Sequence, residues 1–161
     1  MQANMIELSM YEISQFFLMP TLLLIAALFL YSFWVLGEFA LLAFYRRHGK
    51  GRALLTEFRR NSGLTADELD LLAHKHLEAP RIASRVTPML GLVATMIPMG
   101  PALKSLSDGN LASVSNNLTI AFSAVILALI AASITYWVVN VRRRWLAEEL
   151  VEIESLRGQT A

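Results

Sequence analysis

The feature that most constrains this chain is a run of 33 residues, from Gly109 to Val141, without a single Asp, Glu, Lys or Arg. A helix rises about 1.5 Å per residue, so about 20 residues cross the hydrocarbon layer of a bilayer. The run is long enough to cross that layer after a short loop, and Arg142, Arg143 and Arg144 close it at one face. The pattern therefore predicts a membrane protein.

Two further uncharged runs lie upstream. One covers residues 13–37 and continues over 39–45 after a lone Glu38, and the other covers 86–103. The hydrophobic fraction of 55% and the mean hydropathy of +0.49 agree with a chain that lies largely in lipid. Backbone polar groups must be paired inside a bilayer, so each span is predicted to be helical.

The predicted fold is thus an all-α membrane protein with three transmembrane helices. Its segments are an N-terminal outer or interfacial segment (1–16), transmembrane helix 1 (17–45), a cytoplasmic segment with a short helix (46–83), transmembrane helix 2 (84–105), an outer loop (106–113), transmembrane helix 3 (114–142) and a cytoplasmic helical tail (143–161).

The distribution of basic residues predicts the orientation. Nine Lys or Arg residues lie within 46–85 and four within 142–157, whereas Lys104 is alone on the opposite side. The positive-inside rule then places the N-terminus outside, the 46–85 segment inside and the C-terminus inside. Because the basic residues adjoin the membrane ends, and the net charge is only +1, nucleic-acid binding is not expected.

The segments outside the bilayer are also predicted to contain helices. Thr65 and Glu68 have the spacing of a capping box, which predicts a helix from Ala66 to about Leu77 that Pro80 ends. The third helix is predicted to continue into the tail with an apolar stripe. That stripe comprises Leu146, Leu150, Ile153 and Leu156, while Glu148, Glu149, Glu152 and Glu154 are expected to face elsewhere.

Small residues form one face of each of the last two spans. Such faces let membrane helices approach closely. In the second span Pro98 and Pro101 also remove backbone donors, and we predict a bend there. The small-residue face of the third span comprises Ala121, Ala124, Ala128, Ala131, Ala132 and Thr135, and that of the second span comprises Gly91, Ala94, Thr95, Pro98 and Ala102.

The other side of the third span is partly polar, with Thr119, Ser123, Ser133 and Asn140. These side chains could face an interior surface, or they could bond to carbonyls of their own helix, a common habit of such residues in membranes. Thr95 has the same two interpretations. It could line an aqueous path or satisfy a carbonyl freed near Pro98, and for Thr95 considered alone the structural role is favoured.

The uncharged runs of these two spans, 86–103 and 109–141, contain no Asp, Glu, Lys, Arg or His. Ion transport through a membrane usually needs an ionisable or strongly coordinating group. Glu38 lies close to Arg46 and is interpreted as interfacial, so a titrating group for proton transport would have to come from another chain. The chain has no cysteine, and His74 and His76 fall on different faces of a helix. No metal site, cofactor or enzymatic activity is predicted.

The run from Pro88 to Met99 carries Pro88, Gly91, Leu92 and Thr95 in a pattern that resembles the second-helix signature of the MotA/TolQ/ExbB proton-channel family. The third span, with Ala121 to Ala128 and a later Asn140 followed by basic residues, is similar to that family's third helix.

The resemblance implies a pentameric ring that encloses single-span helices of an ExbD-, TolR- or MotB-like partner. A partner Asp would bind and release the transported ion, a proton or Na⁺, and ring packing would use the small-residue faces. It implies that Thr95 lines the ion path, with Ser123 and Thr119 as secondary candidates. Val125 stands where the family has a threonine on the third helix. A non-conducting scaffold subunit of an envelope complex is the alternative.

Overall fold

A computed structural model describes residues 2–48, 51–61 and 63–160, with side chains described from residue 9 to residue 158 of these ranges. The outermost residues of the predicted N-terminal and C-terminal segments, 1 and 161, lie outside them. All regular structure in the described ranges is helical. The helices are α1 (Gln2–Arg47), α2 (Ala53–Arg60), α3 (Ala66–Ser107) and α4 (Leu111–Thr160).

Three of these helices are long and apolar enough to cross a membrane. They contain the candidate spans Ser9–Arg47, Ala66–Ser107 and Leu111–Gly158. The predicted all-α fold with three such helices is therefore confirmed. The helix that contains the third span, α4, also continues without a break into the predicted tail, as the apolar stripe indicated.

The prediction that Pro80 ends a short helix is wrong, because α3 runs unbroken from Ala66 to Ser107. A proline inside a helix loses one backbone hydrogen bond and crowds the carbonyl four residues before it. Here Ala73 and Leu77 bury their side chains in a hydrophobic core just before the proline. That packing offsets the lost bond, and the capped helix joins the second span directly.

The capping box itself is confirmed. The Thr65 backbone amide donates to Glu68 Oε2 at 2.8 Å, and the Glu68 amide donates to Thr65 Oγ1 at 3.3 Å. The Thr65 hydroxyl also donates to Glu68 Oε2, at 3.1 Å. The two bonds that this carboxylate accepts, from the amide and the hydroxyl of Thr65, lower the pKa of Glu68, which lies outside the uncharged run 86–103, because they stabilise its ionised form.

A turn of three residues, 108–110, joins α3 to α4. Gly109 has a φ of +72°, in the left-handed region that glycine adopts without strain. Asn110 then caps α4, because its Oδ1 accepts the Ser113 amide at 3.1 Å. The connection is shorter than the predicted outer loop of 106–113.

The chain packs as two compact units. The first comprises Met1–Ser32 and Arg85–Ser133, and the second comprises Phe33–Ser84 and Ile134–Ala161. The core of the first unit consists of Ile25, Ala94, Ala124 and Ala128, with Leu22 and Leu90 packed against it. The core of the second consists of Leu54, Leu55, Leu69, Ala73, Leu77, Leu146 and Ile153.

Sequence reasoning did not predict α2. Its eight residues are too few to show a convincing helical period, and its N-cap residue, Arg52, makes no side-chain capping bond. Leu54 and Leu55 are nevertheless buried in the second unit's core. Tertiary packing, rather than a local signal, therefore holds this helix.

Candidate functional site

The glycine of the second-helix pattern lies at a close approach of α3 to α4. A Cβ atom built on Gly91 would lie 2.9 Å from the Cβ of Ala128 and 3.4 Å from Cγ2 of Val125. Contacts under 3 Å are not tolerated between such atoms, so only glycine permits this approach without a shift of one helix. The motif thus has a steric basis in the first unit.

The small-residue faces of α3 and α4 are buried within one chain. Ala94 and Ala128 have no exposed surface, and Ala124 is 4% exposed. The other small residues proposed for helix packing, Ala102, Ala121 and Ala132, are buried as well. These faces are therefore occupied inside the protomer, and packing between subunits of a ring would have to use other surfaces.

Two of the three hydroxyl groups proposed to line an ion path, those of Thr95 and Thr119, bond to their own helices. Thr95 is half-buried, and its Oγ1 donates to the Leu92 carbonyl at 2.7 Å. Thr119 is exposed, and its Oγ1 donates to the Ser115 carbonyl at 2.8 Å. Both hydroxyl groups therefore donate to carbonyls of their own helix, which is one of the two interpretations given above. The lone pairs of each hydroxyl oxygen remain able to accept a further hydrogen bond.

Thr119 and Ser123 lie four residues apart on α4, and both are exposed. Residues at this spacing share one helix face. Thr119 also lines an open cavity of about 430 Å³ beside Ser113, Ser115 and Asn116. The structure therefore places a polar, accessible surface on the first part of α4.

Val125 takes a different position. It is half-buried, and its Cγ2 lies beside Gly91 of the second-helix pattern. The Val125 side chain is thus packed against α3 and has no group that could hydrogen-bond a water.

Pro98 and Pro101 lie within α3, which remains helical through both. Pro101 has no backbone N–H to donate to the carbonyl of Ile97, four residues before it. The side chain of Gln15 on α1 donates to that carbonyl instead, with Nε2 at 3.3 Å from the oxygen. Sequence reasoning missed this contact, although a lone glutamine in an uncharged span was a detectable signal.

The second unit contains the charged residues that follow the uncharged runs 13–37 and 109–141. Glu38 pairs with Arg142, whose Nη1 lies 3.1 Å from Glu38 Oε1. From the sequence, Glu38 was expected to lie close to Arg46. Arg46 instead donates to Glu149 Oε1 at 2.8 Å, so Arg46 and Arg142 pair with different carboxylates.

The expectation that Glu149 faces away from the apolar stripe is wrong. Glu149 is 2% exposed, and its Oε2 accepts the backbone amide of Leu54 at 3.0 Å. It lies three residues after Leu146 and four before Ile153, which is the spacing of the stripe itself. The buried carboxylate thus pairs with Arg46 and also caps the start of α2.

The histidines give no sign of a metal site. His74 is exposed, with Nδ1 at 3.0 Å from the Asp70 carbonyl. Within the ranges that the structure describes, no group of three or more His, Cys, Asp or Glu side chains could hold a metal ion.

Comparison with known proteins adds the family. The model of the MotA/TolQ/ExbB proton channel family matches residues 44–155, well over half of the chain. No curated protein and no solved structure matches. The matched region contains the second-helix pattern, the hydroxyl-bearing face of α4 and the buried Glu149. With its three apolar helices the chain is a multi-pass membrane protein, and it belongs to the MotA/TolQ/ExbB proton channel family.

Proposed function

We propose that this protein is the ring subunit of a proton-driven motor in a bacterial-type inner membrane. In this proposal several copies, five by analogy with the family resemblance, surround the single-span helices of an ExbD-, TolR- or MotB-like partner. An Asp on the partner helix binds and releases the proton, and the ring converts that cycle into relative rotation. The protein itself catalyses no reaction.

The observation that carries the proposal is that the uncharged runs of α3 and α4 contain no Asp, Glu, Lys, Arg or His. A channel family member whose second and third spans carry no such residue needs a carboxylate from elsewhere, because proton transfer across lipid requires a group that gains and loses a proton. The membership of this chain in a proton channel family and the polar face of α4 both support that division of labour.

Thr95 is the residue that we assign to the ion path, with Thr119 and Ser123 on α4 as secondary candidates. Because the Thr95 hydroxyl donates to its own helix, its role would be to accept a hydrogen bond from a protonated partner carboxyl or from a water. Val125 cannot share this role, so the path on the α4 side would depend on Thr119 and Ser123.

The proposal is tested by proton uptake into vesicles that contain the protein and its co-purified partner. Thr95→Val keeps the side-chain shape and removes the hydroxyl, so we expect lower partner-dependent uptake. Thr21→Val is the matched control, since the Thr21 hydroxyl also donates to its own helix at 2.7 Å but lies on α1.

Equal uptake by the Thr95→Val variant and the wild type would remove Thr95 from the mechanism. No partner-dependent uptake by the wild type, with either a proton or a Na⁺ gradient, would favour the non-conducting scaffold.

A further inference from the structure

A cavity of about 210 Å³ lies in the second unit, between the basic end of α1, the start of α2, a segment of α3 and the stretch of α4 that begins at Arg142. Most of its lining is charged or amphipathic, and no part of the proposed proton path uses it. The lining residues that bear on its chemistry are Glu38, Arg46, His76, Arg142, Trp145 and Glu149.

The two arginines in this cavity differ in how fully their donors are used. Arg46 donates to Glu149, lies 3.7 Å from a carboxylate oxygen of Glu148, and stacks its guanidinium 4.8 Å from the ring centre of Trp145. Arg142 has one ion-pair contact among the described residues, at 3.1 Å from Glu38 Oε1. A guanidinium carries five N–H donors, so Arg142 has donors left that can bond to a ligand.

Arg142 is nevertheless sheltered, since its side chain is only 13% exposed. Among the described residues, no buried side-chain nitrogen or oxygen lacks a hydrogen-bond partner. The remaining donors of Arg142 must therefore reach accessible space, and the cavity that this side chain lines supplies it. Glu38 is the other member of this ion pair. Its side chain is 52% exposed, so its carboxylate can still accept a hydrogen bond from a ligand.

The charges lining the cavity balance. Glu38 and Glu149 contribute two negative charges, and Arg46 and Arg142 contribute two positive charges, with His76 counted as neutral. An anionic ligand on Arg142 would leave Glu38 beside a like charge, which is unfavourable. A ligand that carries both a phosphate and an ammonium group would replace the Glu38–Arg142 pair with two new ion pairs and leave no charge unmatched.

The position along the chain points to the membrane surface. Arg142 is the first charged residue after the uncharged run 109–141, and Glu38 is the first after the run 13–37. Charged residues that flank apolar spans lie near the lipid head groups, and tryptophans such as Trp145 favour the same level. The cavity therefore lies at the depth where phospholipid phosphates are found.

We propose that this cavity binds the head group of a zwitterionic phospholipid with a primary ammonium group. The phosphate would accept hydrogen bonds from Arg142, whose planar fork suits phosphate oxygens, and the ammonium would donate to Glu38. The cavity volume of about 210 Å³ equals the volume that about seven water molecules occupy in the liquid, at about 30 Å³ each, and this leaves room for a phosphate and an ammonium group. This site is independent of the proposed proton mechanism.

Native mass spectrometry of the protein purified with its partner chains, delipidated and then supplied with lipids of matched acyl chains, tests the proposal. The lipids are phosphatidylethanolamine, phosphatidylcholine and phosphatidylglycerol in equal amounts. We expect phosphatidylethanolamine to be retained about tenfold over the other two. Phosphatidylcholine has the same charges but no N–H donor, and phosphatidylglycerol is anionic.

Two variants and a control assign the contacts. Arg142→Gln is expected to lower phosphatidylethanolamine retention about tenfold, and Arg143→Gln, at an exposed neighbour, to leave it unchanged. Glu38→Gln is expected to keep phosphate binding but to abolish the preference over phosphatidylcholine. This second variant keeps the test decisive if Arg142→Gln does not fold.

Soluble competitors separate a lipid from a free phosphate ligand. Inorganic phosphate and O-phosphoethanolamine at low millimolar concentration are expected to leave the bound lipid in place, since they lack the acyl chains. Displacement by either compound, retention of phosphatidylglycerol equal to that of phosphatidylethanolamine, or unchanged retention in both variants would overturn the proposal.

Discussion

The contact between Gln15 and the Ile97 carbonyl gives a prediction that can be worked out in detail. Pro101 cannot donate to that carbonyl, and Gln15 Nε2 replaces the missing donor at 3.3 Å. One turn earlier on α1, Tyr11 lies against Gly100, where an added Cβ would be 3.5 Å from Tyr11 Cε2. Two side chains of α1 thus contact the proline-containing end of α3.

Gln15→Leu removes the donor and leaves the Ile97 carbonyl unpaired in an apolar setting. An unpaired amide group costs about 1–3 kcal/mol in protein mutational data, whereas side-chain hydrogen bonds in a membrane protein average about 0.6 kcal/mol. The 3.3 Å separation is longer than the optimum. We therefore expect a loss of roughly 1 kcal/mol in the free energy of unfolding.

The diagnostic measurement is a double-mutant cycle with Pro101→Ala. Alanine restores the backbone N–H, which can donate to Ile97, so Gln15→Leu should then cost almost nothing. Reversible unfolding in mixed micelles would measure a coupling of roughly 1 kcal/mol between the two positions. Ser14→Ala is the control, because Ser14 donates only within α1, to the Tyr11 carbonyl. An equal cost of Gln15→Leu in both backgrounds would refute the reasoning.

Three further predictions concern packing and charge. Glu149→Gln should lower the free energy of unfolding by about 2–3 kcal/mol, because it leaves Arg46 without its buried partner; a loss no larger than that of the exposed Glu154→Gln would contradict this. The capping contribution of Glu68 should be present above the ordinary pKa of 4.5 and be lost as the pH falls through its lowered folded value, with amide hydrogen exchange at the start of α3 rising in acid. If Glu68→Gln shows the same rise of hydrogen exchange in acid, protonation of Glu68 is not the cause of that rise. Gly91→Ala should lower the free energy of unfolding by about 1–3 kcal/mol, since the new Cβ would lie 2.9 Å from the Cβ of Ala128 on α4. A variant that unfolds at the wild-type denaturant midpoint would show that α3 and α4 can move apart without cost.

The sequence predicted those features that depend on long runs of one residue class or on short-range spacing. Uncharged runs of a length suited to a bilayer require helices whatever their neighbours are, and the bonds between Thr65 and Glu68 join residues three apart. The glycine at position 91 was likewise visible as part of a pattern, although its closest neighbour was not.

What could not be predicted depends on which residues distant along the chain come together. Glu38 had a basic residue eight positions away, yet it pairs with Arg142, about a hundred residues later. Pro80 has the chemistry of a helix end, but the packing of Ala73 and Leu77 outweighs one lost hydrogen bond. Burial of Glu149 likewise depends on Arg46 and on the amide of Leu54, neither of which lies on its own helix.

The same logic applies to the small-residue faces. Alanine stripes on α3 and α4 indicate close helix packing, but they do not say whether the facing helix belongs to the same chain or to a neighbour. The contact between Gly91 and Ala128 answers this for one protomer. The surface that would join copies of the chain must therefore be sought among the exposed apolar residues.

The central claim is that the proton-binding carboxylate of this machine belongs to a different polypeptide. The most direct measurement is the mass of the intact complex purified from native membranes by a tag on this chain. We expect several copies of the 18.0 kDa protein together with fewer copies of a single-span protein that carries an Asp within its span. A monomer, or an assembly of this chain alone that still takes up protons, would contradict the account.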